Sequence, residues 1–165
     1  MEGRRSKPRV ILVFGAPCSG KTTFCEKFSA KYNLAYYNLD EVVSEYHFEK
    51  DGLFDALKLI AKTKHTLVIE GGIDTEAERV ELKELFTELG YSVFLVWIQT
   101  DIATIRTRMK MRYRSVSKAK DAYDTIISGM EAPSSMERPI ILSGKHTFET
   151  QTKHVLAGLA NVRKR

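Results

Sequence analysis

Short apolar runs alternate with longer amphipathic stretches along the chain. Five runs rich in β-branched and aromatic residues predict strands at Val10–Phe14, Ala35–Leu39, Thr66–Glu70, Tyr91–Ile98 and Pro139–Ser143. Continuous apolar runs such as VILVF and VFLVWI are typical of strands that are buried on both faces of a parallel sheet. The alternation therefore predicts an α/β domain in which helices cover a parallel sheet.

Between these runs, apolar residues recur at helical spacing. Phe24 and Phe28 lie one turn apart in the stretch from residue 21 to 31. A second helix, around residues 82 to 89, is bounded by a capping box from Thr75 to Glu78 and by Gly90 at its end. Four further stretches predict helices: Leu53–Ala61, Ile102–Met109, Tyr123–Met130 and Phe148–Arg163.

The 165 residues, 43% of them hydrophobic, are sufficient for one domain with its own core. The net charge of +5 suggests at first a nucleic-acid binder. However, seven basic residues lie in residues 1–9 and 163–165, and 19 basic against 20 acidic residues remain between them. We therefore predict a single domain spanning 1–165, with a flexible basic tail at 1–9 and a nearly neutral body between the two basic ends. The basic ends can hold RNA or DNA, or can simply be solvated.

Cysteine content and hydropathy indicate the cellular compartment. Cys18 and Cys25 are too few and too close in sequence for a secreted disulfide scaffold. No apolar run approaches the roughly 20 residues needed to span a bilayer, and the run at Val10–Phe14 is too short for a signal-peptide core. These features predict a cytoplasmic protein with no membrane partner.

The segment after the first strand carries the strongest motif. Its sequence, GAPCSGKT, matches G-x-x-x-x-G-K-[ST] and lies between a predicted strand and a predicted helix. Backbone amides of such a loop bind phosphate, Lys21 can reach the β- and γ-phosphates, and the Thr22 hydroxyl can ligate Mg²⁺. The predicted phosphate site comprises Gly15, Ala16, Pro17, Cys18, Ser19, Gly20, Lys21, Thr22 and Thr23. Within it, Cys18 is either a reactive thiol or a spacer.

Other parts of the sequence narrow the class of phosphate-binding protein. GTPase switches need N-K-x-D and D-x-x-G elements, and neither follows the loop. Large motor ATPases need a longer chain. A small phosphotransferase is the class that remains.

The order of motifs resembles the P-loop kinase superfamily, with the closest pattern in polynucleotide 5′-hydroxyl kinase-like and adenylate kinase-like members. After the phosphate loop come YYNLDE at the end of the second strand and LVIE in the third strand, with Arg79 in the helix that follows. A basic segment and a closing strand and helix complete the pattern, which spans residues 10–159. Two departures leave the acceptor open: Val43 replaces an arginine of the family's second-strand motif, and EGG replaces a polar third-strand end.

The resemblance implies a three-layer α/β/α P-loop NTPase domain, whose five-stranded parallel sheet has the order 2-3-1-4-5 and whose helical lid lies near residues 108–132. It implies an ATP- and Mg²⁺-dependent kinase that phosphorylates a hydroxyl. The expected partners are a nucleotide and a nucleoside, nucleotide or polynucleotide end, with no obligate protein partner. Alternatives are a sugar or antibiotic kinase, or a nucleotide-binding regulatory protein without efficient transfer.

Carboxylates at strand ends are candidates for acid–base and metal chemistry, because ligands bind at the carboxyl edge of open α/β sheets. By resemblance, Asp40 accepts the proton of the attacking hydroxyl; Glu41 or Asp74 can take that role, and Asp40 can instead cap a helix. Glu70 either orients Mg²⁺ water or is a strand-end charge in solvent.

Seven basic residues and no acidic ones lie between Arg106 and Lys120. On a helix, Arg108 and Arg112 flank one side of an apolar stripe, and by resemblance they neutralise the phosphoryl group during transfer. The other side of the stripe carries Arg106, Lys110 and Arg114. Arg79 either matches the family position or pairs on the surface with Glu76 or Glu81.

By resemblance, the loop of Ser143, Gly144 and Lys145 packs against the nucleotide base. The four histidines have no metal-ligand spacing and are interpreted as ordinary residues. Tyr36 and Tyr37 can stack on an aromatic acceptor or belong to the core.

Overall fold

Five parallel strands and seven helices make up the part of the chain that the computed structural model describes, which is residues 7–114 and 116–161. The strands are β1 (Arg9–Phe14), β2 (Ala35–Asn38), β3 (Leu67–Glu70), β4 (Ser92–Gln99) and β5 (Ile140–Ser143). The helices are α1 (Lys21–Tyr32), α2 (Leu39–Tyr46), α3 (Lys50–Ala61), α4 (Glu76–Glu88), α5 (Ile102–Tyr113), α6 (Val116–Ser128) and α7 (Phe148–Asn161). The sheet order is β2-β3-β1-β4-β5, as predicted.

Helix α2 is an element that the sequence pattern did not predict. Strand β2 stops at Asn38, whose side chain accepts a hydrogen bond from the Glu41 amide and so caps the new helix. Two β-branched residues, Val42 and Val43, favour strands and hide the helical character of this segment. The predicted strand was therefore one residue too long, because Leu39 already belongs to the helix.

The two faces of the sheet are covered by different helices, which gives the three layers. Leu57 of α3 and Phe86 of α4 pack on one face together with Phe14. Phe24 of α1 and Val155 of α7 pack on the other. Each face thus has its own buried cluster, as expected for strands that are apolar on both sides.

Helices α5 and α6 form a third cluster, built from Ile105, Met109 and Tyr123. The same cluster includes Ala16 of the phosphate-binding motif. The predicted lid segment, residues 108–132, therefore begins inside α5, contains all of α6 and packs against the phosphate loop. Helix α6 begins seven residues earlier than the predicted start at Tyr123.

The ends of the chain are only partly described. Residues 1–6 and 162–165, which include most of the predicted basic tails, lie outside the described residues. Arg9 was assigned to the tail, but it is the first residue of β1, and its guanidinium lies 5.9 Å from the Phe94 ring centroid. In the ranges 7–114 and 116–161, no helix has the length and apolarity required to traverse a bilayer.

Arg79 is fully buried. Of the two interpretations of this residue, pairing on the surface with Glu76 or Glu81 is therefore wrong. Its guanidinium donates through Nε to Glu137 Oε1 at 2.6 Å and through Nη2 to Oε2 at 3.1 Å. The expected partners contact other residues: Glu76 accepts from Ser134, and Glu81 pairs with Lys50. A bidentate arginine–carboxylate pair supplies both charge and geometric specificity, so this contact fixes the fold locally.

The same guanidinium also anchors backbone. Its Nη1 donates to the carbonyl oxygens of Ile73 (3.3 Å), Asp74 (2.9 Å) and Glu131 (3.1 Å). Its carbon lies 4.5 Å from the ring centroid of Phe14 in β1. Arg79 therefore joins the loop after α6 to the segment that follows β3.

We expect Arg79→Met to lower the free energy of unfolding by about 3 to 5 kcal/mol, because it leaves the Glu137 carboxylate buried without its cation. Urea denaturation measures this change. Lys58→Met, which breaks an exposed i,i+3 pair with Asp55, is the matched control and is expected to cost less than about 1 kcal/mol. Equal effects of the two substitutions would contradict the structural role of Arg79.

Candidate active site

A cleft of about 920 Å³ opens at the carboxyl end of the sheet, beside β1. The helices that follow β1 and β3 lie on opposite faces of the sheet, and such switch points are where open α/β sheets bind ligands. The residues lining the cleft include Gly15, Pro17, Cys18, Gly20, Lys21, Thr22, Thr23, Lys27, Asn38, Asp40, Glu41, Glu70, Asp74, Arg108, Arg112, Gly144 and His146.

The phosphate-binding motif leaves the start of α1 uncapped. Gly20 occupies the N-cap position in a left-handed conformation with φ of 104°, which glycine adopts without steric cost. No side chain accepts a hydrogen bond there, and the first turn of α1 contains no acidic residue. The starts of α2, α4, α5 and α7 are capped by Asn38, Thr75, Asp101 and Thr147. The start of α3 also lacks a capping side chain, but it does not line the cleft. The N–H groups at the start of α1 therefore form an open site for an anion.

Lys21 lies at this opening and bonds to the loop itself. Its Nζ donates to the carbonyl oxygens of Gly15 at 2.8 Å and Ala16 at 3.2 Å. Thr22 and Thr23 are exposed and line the cleft, whereas Ser19 is buried and its Oγ has no hydrogen-bond partner. The loop thus presents one cation and two hydroxyl groups to the cleft.

Arg108 connects the phosphate loop to the loop after β5. Its Nη1 donates to the carbonyl oxygens of Cys18 (3.0 Å) and Ser19 (3.3 Å), and its Nη2 donates to that of Gly144 (3.1 Å). The Thr100 hydroxyl donates to the same Ser19 oxygen at 3.1 Å. These donors hold the outer carbonyl groups of the loop.

Arg112 lies one helical turn beyond Arg108 and also lines the cleft, where it is exposed. Arg106, on the other side of α5, lies 5.2 Å from the Tyr123 ring centroid and so packs against α6. The structure therefore brings Arg108 and Arg112 to the cleft and gives Arg106 a contact between α5 and α6.

Asp40 lies in the first turn of α2 and is exposed at the cleft. Its Oδ1 accepts a hydrogen bond from the Gly72 amide at 3.0 Å. It is not the helix cap, because Asn38 holds that position. Gly71 has a φ of +81°, and a Cβ there would lie 2.7 Å from Asp40 Oδ2, so only glycine lets the carboxylate come this close.

Glu70 ends β3, between β2 and β1, and it is only 2% exposed, which excludes the solvent-facing interpretation. Its Oε1 accepts a hydrogen bond of 2.6 Å from the Tyr36 hydroxyl, and its Oε2 has no partner. Burial and the hydrogen bond to Glu70 raise the pKa of Tyr36, so the phenol stays protonated at neutral pH and acts as the donor.

Cys25 of α1 lies beside this carboxylate. Burial is the largest cause that raises the pKa of its thiol, and the charge of Glu70 raises it further. Cys25 is fully buried, and Cys18 is half-buried in the phosphate loop at a positive φ of 57°. Both cysteines are free thiols.

The loop after β5 divides between two cavities. Gly144 and His146 line the main cleft, whereas Ser143 and Lys145 line an adjoining cavity of about 710 Å³ that also contacts Ala16. The Lys145 ammonium pairs with Asp101 Oδ2 at 2.5 Å. Two of the three residues predicted to contact a base therefore lie outside the main cleft.

Sequence reasoning missed the roles of Tyr36, Asn38 and His146. Tyr36 packs against the core cluster on the α1 side, as one of its two interpretations had it, but the hydrogen bond from its hydroxyl to Glu70 was not predicted. Only its position two residues before the end of β2 could have suggested that bond. His146 was interpreted as ordinary, yet it lines the cleft. His146 directly follows the loop of Ser143, Gly144 and Lys145, and this position could have indicated that it lies at the cleft.

The family of the protein follows from its sequence. The family described as AAA domain matches residues 10–133. The chain therefore belongs to this family. No curated protein matches the sequence significantly.

Solved structures with a similar fold include kinases and a protein in complex with a nucleotide analogue. The gluconokinase from Sinorhizobium meliloti 1021 is 18% identical, with 96% of this chain and 95% of that chain covered and a TM-score of 0.68. The APS kinase of Mycobacterium tuberculosis, in complex with AMPPNP and APS, is 14% identical (94% and 99% covered, TM-score 0.67). Kti12 of Chaetomium thermophilum, in complex with ADP-AlF3, is 18% identical (92% and 97% covered, TM-score 0.68). These likenesses confirm the predicted kinase-like P-loop NTPase fold.

Asp74 reports the electrostatics of the cleft. Burial raises its pKa above the usual 3.8, the nearby Lys21 ammonium lowers it, and the Asp40 carboxylate raises it. The charges of Lys21 and Asp40 thus act on Asp74 across the cleft, although the three residues come from different parts of the chain.

We expect these charges to move the titration of Asp74 in opposite directions. Lys21→Met should raise the pKa of Asp74, because it removes a stabilising cation, and Asp40→Asn should lower it, because it removes a repelling anion. Carbon-detected NMR of the side-chain carboxyl group measures both shifts. Lys58→Met, far from the cleft, should leave the pKa unchanged, and the same result for Lys21→Met would contradict this account of the site.

Proposed function

We propose that the protein is an ATP- and Mg²⁺-dependent kinase that transfers the γ-phosphate to a hydroxyl of a nucleoside, nucleotide or polynucleotide-like acceptor. The observation that carries the proposal is that a single cleft combines the uncapped start of α1 and Lys21 with the strand-end carboxylate of Asp40. Phosphoryl transfer needs a phosphate site, positive charge and a base near the acceptor, and one cleft holds a candidate for each.

The nucleotide is proposed to bind with its phosphates on the loop from Gly15 to Thr23 and its base against the loop from Ser143 to Lys145. The position of Gly144 supports this arrangement, since its carbonyl oxygen shares the Arg108 guanidinium with the phosphate loop. The fold neighbours solved with AMPPNP and with ADP-AlF3 support a nucleotide of this kind.

Lys21 supplies a cation for the β- and γ-phosphates. Its present partners are two neutral carbonyl oxygens, at 2.8 and 3.2 Å. A phosphate oxygen carries negative charge and forms stronger, charge-assisted hydrogen bonds. The ammonium therefore exchanges carbonyl for phosphate partners when the nucleotide binds.

The residues around Glu70 fit a magnesium ion that is bound mainly through phosphates and water. The buried Glu70 Oε2 lacks a partner, and the exposed Thr22 hydroxyl opens onto the same cleft. Among the described residues, no group of three or more histidine, cysteine or acidic side chains could hold a metal by itself. Mg²⁺ commonly uses only one or two protein ligands, here Thr22 and Glu70, and it neutralises phosphate charge.

Asp40 is the proposed base. The acceptor oxygen forms a bond to the γ-phosphorus, the bond from that phosphorus to the bridging oxygen of ADP breaks, and the hydroxyl proton passes to the Asp40 carboxylate. The hydrogen bond from Gly72 fixes Oδ1 and so orients the carboxylate. Glu41 and Asp74 line the same cleft and are the alternative bases.

Arg108 and Arg112 are proposed to neutralise the group in transfer. Both project from α5 into the cleft, one helical turn apart. Their helix packs with α6 and with Ala16 of the phosphate loop in a cluster that is separate from those on the two faces of the sheet, so closure over the nucleotide leaves both faces undisturbed.

A small-molecule acceptor, such as a sugar or an antibiotic, is the second candidate. Asp40, Glu41 and Asp74 line the part of the cleft formed by the β2 and β3 ends. Their negative charge opposes a polyanionic nucleic-acid end and favours a neutral or cationic acceptor. This candidate shares the nucleotide site and the transfer step with the first.

The transfer step predicts different defects for two variants. Lys21→Ala should weaken ATP binding by about 10- to 100-fold, since it removes a charged hydrogen-bond donor. Asp40→Asn should keep ATP affinity but lower kcat by about 10²- to 10⁴-fold, because it removes the base. Calorimetry with ATP and a phosphotransfer assay over nucleosides, nucleotides, 5′-hydroxyl oligonucleotides and sugars measure the two effects.

Lys58→Ala and Asp55→Asn are the matched controls, because both residues are exposed on α3, outside the cleft. Neither should change binding or turnover. If the wild-type protein binds ATP but phosphorylates no acceptor in the panel, the kinase assignment fails and a nucleotide-binding regulatory role replaces it. If it binds no ATP, both fail.

The lid predicts a pattern of hydrogen exchange. Amides of α5 and α6 should exchange faster than those of β1 and β4, and they should become protected when AMPPNP and Mg²⁺ are added. Mass spectrometry of peptic fragments measures both. Protection of the lid equal to that of the central strands in the free protein would contradict closure.

A further inference from the structure

The half-buried Tyr36 and the buried Glu70 form a hydrogen-bonded pair, and the proposed function gives no role to the Tyr36 hydroxyl. Residue 36 lies on β2 and residue 70 at the end of β3, and both side chains face the layer that contains α1. The hydroxyl donates to Glu70 Oε1 at 2.6 Å. That carboxylate is only 2% exposed, so the Tyr36 hydroxyl takes the place of the water that burial removes from Oε1.

The second carboxylate oxygen is left free. Glu70 Oε2 is buried, has no hydrogen-bond partner and belongs to a residue that lines the cleft. A buried carboxylate oxygen without a partner is costly, so it calls for a cation or for a water bound to one. Lys21, the cation of the phosphate loop, bonds to Gly15 and Ala16 instead.

The chemistry of the donor matters here. A lysine or arginine in place of Tyr36 would neutralise Glu70 and compete with a metal ion. A phenol donates one hydrogen bond and carries no charge, so it fixes the orientation of the carboxylate and leaves its full negative charge available. Hydrogen bonds of this kind orient metal ligands and raise metal affinity in many proteins.

We propose that Tyr36 is a positioning residue, which holds Oε1 of Glu70 so that Oε2 faces the magnesium ion of the bound magnesium–nucleotide complex. The inference rests on the proposed function, because it takes the nucleotide site and its Mg²⁺ as given. Tyr36 acts only through Glu70 and touches neither nucleotide nor acceptor.

The test compares AMPPNP binding by calorimetry across a Mg²⁺ titration and in EDTA. Tyr36→Phe keeps the ring and removes one oxygen, so it should raise the Mg²⁺ concentration for half-maximal binding by about 10- to 100-fold. Binding in EDTA should stay unchanged. Tyr37→Phe is the matched control: it neighbours Tyr36 but packs on the opposite face of the sheet, and it should behave as the wild type.

A double-mutant cycle separates positioning from a merely structural role. Glu70→Gln should make AMPPNP binding less dependent on Mg²⁺. Adding Tyr36→Phe to Glu70→Gln should cause no further change in that dependence. If Tyr36→Phe alone does not fold, comparing the double variant with Glu70→Gln still tests the proposal, because the double variant has no buried charge left unpaired. An additional loss of Mg²⁺ response in the double variant overturns the proposal, and so does a Tyr36→Phe variant with a lower melting temperature and unchanged Mg²⁺ dependence.

AMPPNP binding by the wild-type protein distinguishes failure of the proposed function from failure of the role proposed for Tyr36. If AMPPNP does not bind to it even with Mg²⁺, the proposed function has failed before any variant is compared. If AMPPNP binds with the usual Mg²⁺ dependence and Tyr36→Phe matches the wild type, only the role of Tyr36 has failed.

Discussion

The uncapped start of α1 is the constraint on which the rest of the structure depends. A helix normally satisfies its first N–H groups with a side chain, as α2, α4, α5 and α7 do. At α1, a left-handed glycine replaces the capping residue and leaves these groups facing the cleft. The surrounding elements then hold the loop from outside, because Thr100 and Arg108 bind its carbonyl oxygens. The loop is therefore ordered before a ligand arrives, which reduces the entropy cost of binding.

Arg79 and Glu70 are both buried charged residues, but they differ in how many of their polar atoms have hydrogen-bond partners. The Arg79 guanidinium donates to both oxygens of Glu137 and to three carbonyl oxygens, so its charge is paired and each of its three nitrogens has an acceptor. Glu70 is equally buried, but only one of its oxygens has a partner. A complete network stabilises the fold, whereas an incomplete one beside a cleft provides binding capacity at a cost in stability.

The sequence predicted the parts of the fold that depend on local pattern. Apolar runs such as Val10–Phe14 must be buried on both faces, and a phosphate-loop motif between a strand and a helix fixes the start of α1; both features are visible without tertiary contacts. The burial of Arg79 is not visible in this way, because its partner Glu137 lies 58 positions away and belongs to no periodic pattern. The same holds for Tyr36 and Glu70, which are 34 positions apart and meet only through strand pairing. The pattern of apolar residues predicts helices and strands. Which charged side chains are buried depends on contacts between elements that are distant in sequence.

The anchoring of the segment after α6 constrains the geometry of the α5–α6 pair. At its far end, the chain is fastened to α4 and to the loop after β3, because Arg79 binds Glu137 and the Glu131 carbonyl, and the Glu131 amide donates to the Asp74 carbonyl. At its near end, α5 follows β4 closely, and its N-cap residue Asp101 pairs with Lys145. The proposed lid is therefore tethered at both ends, and these two tethers define the hinges of the closure that we propose.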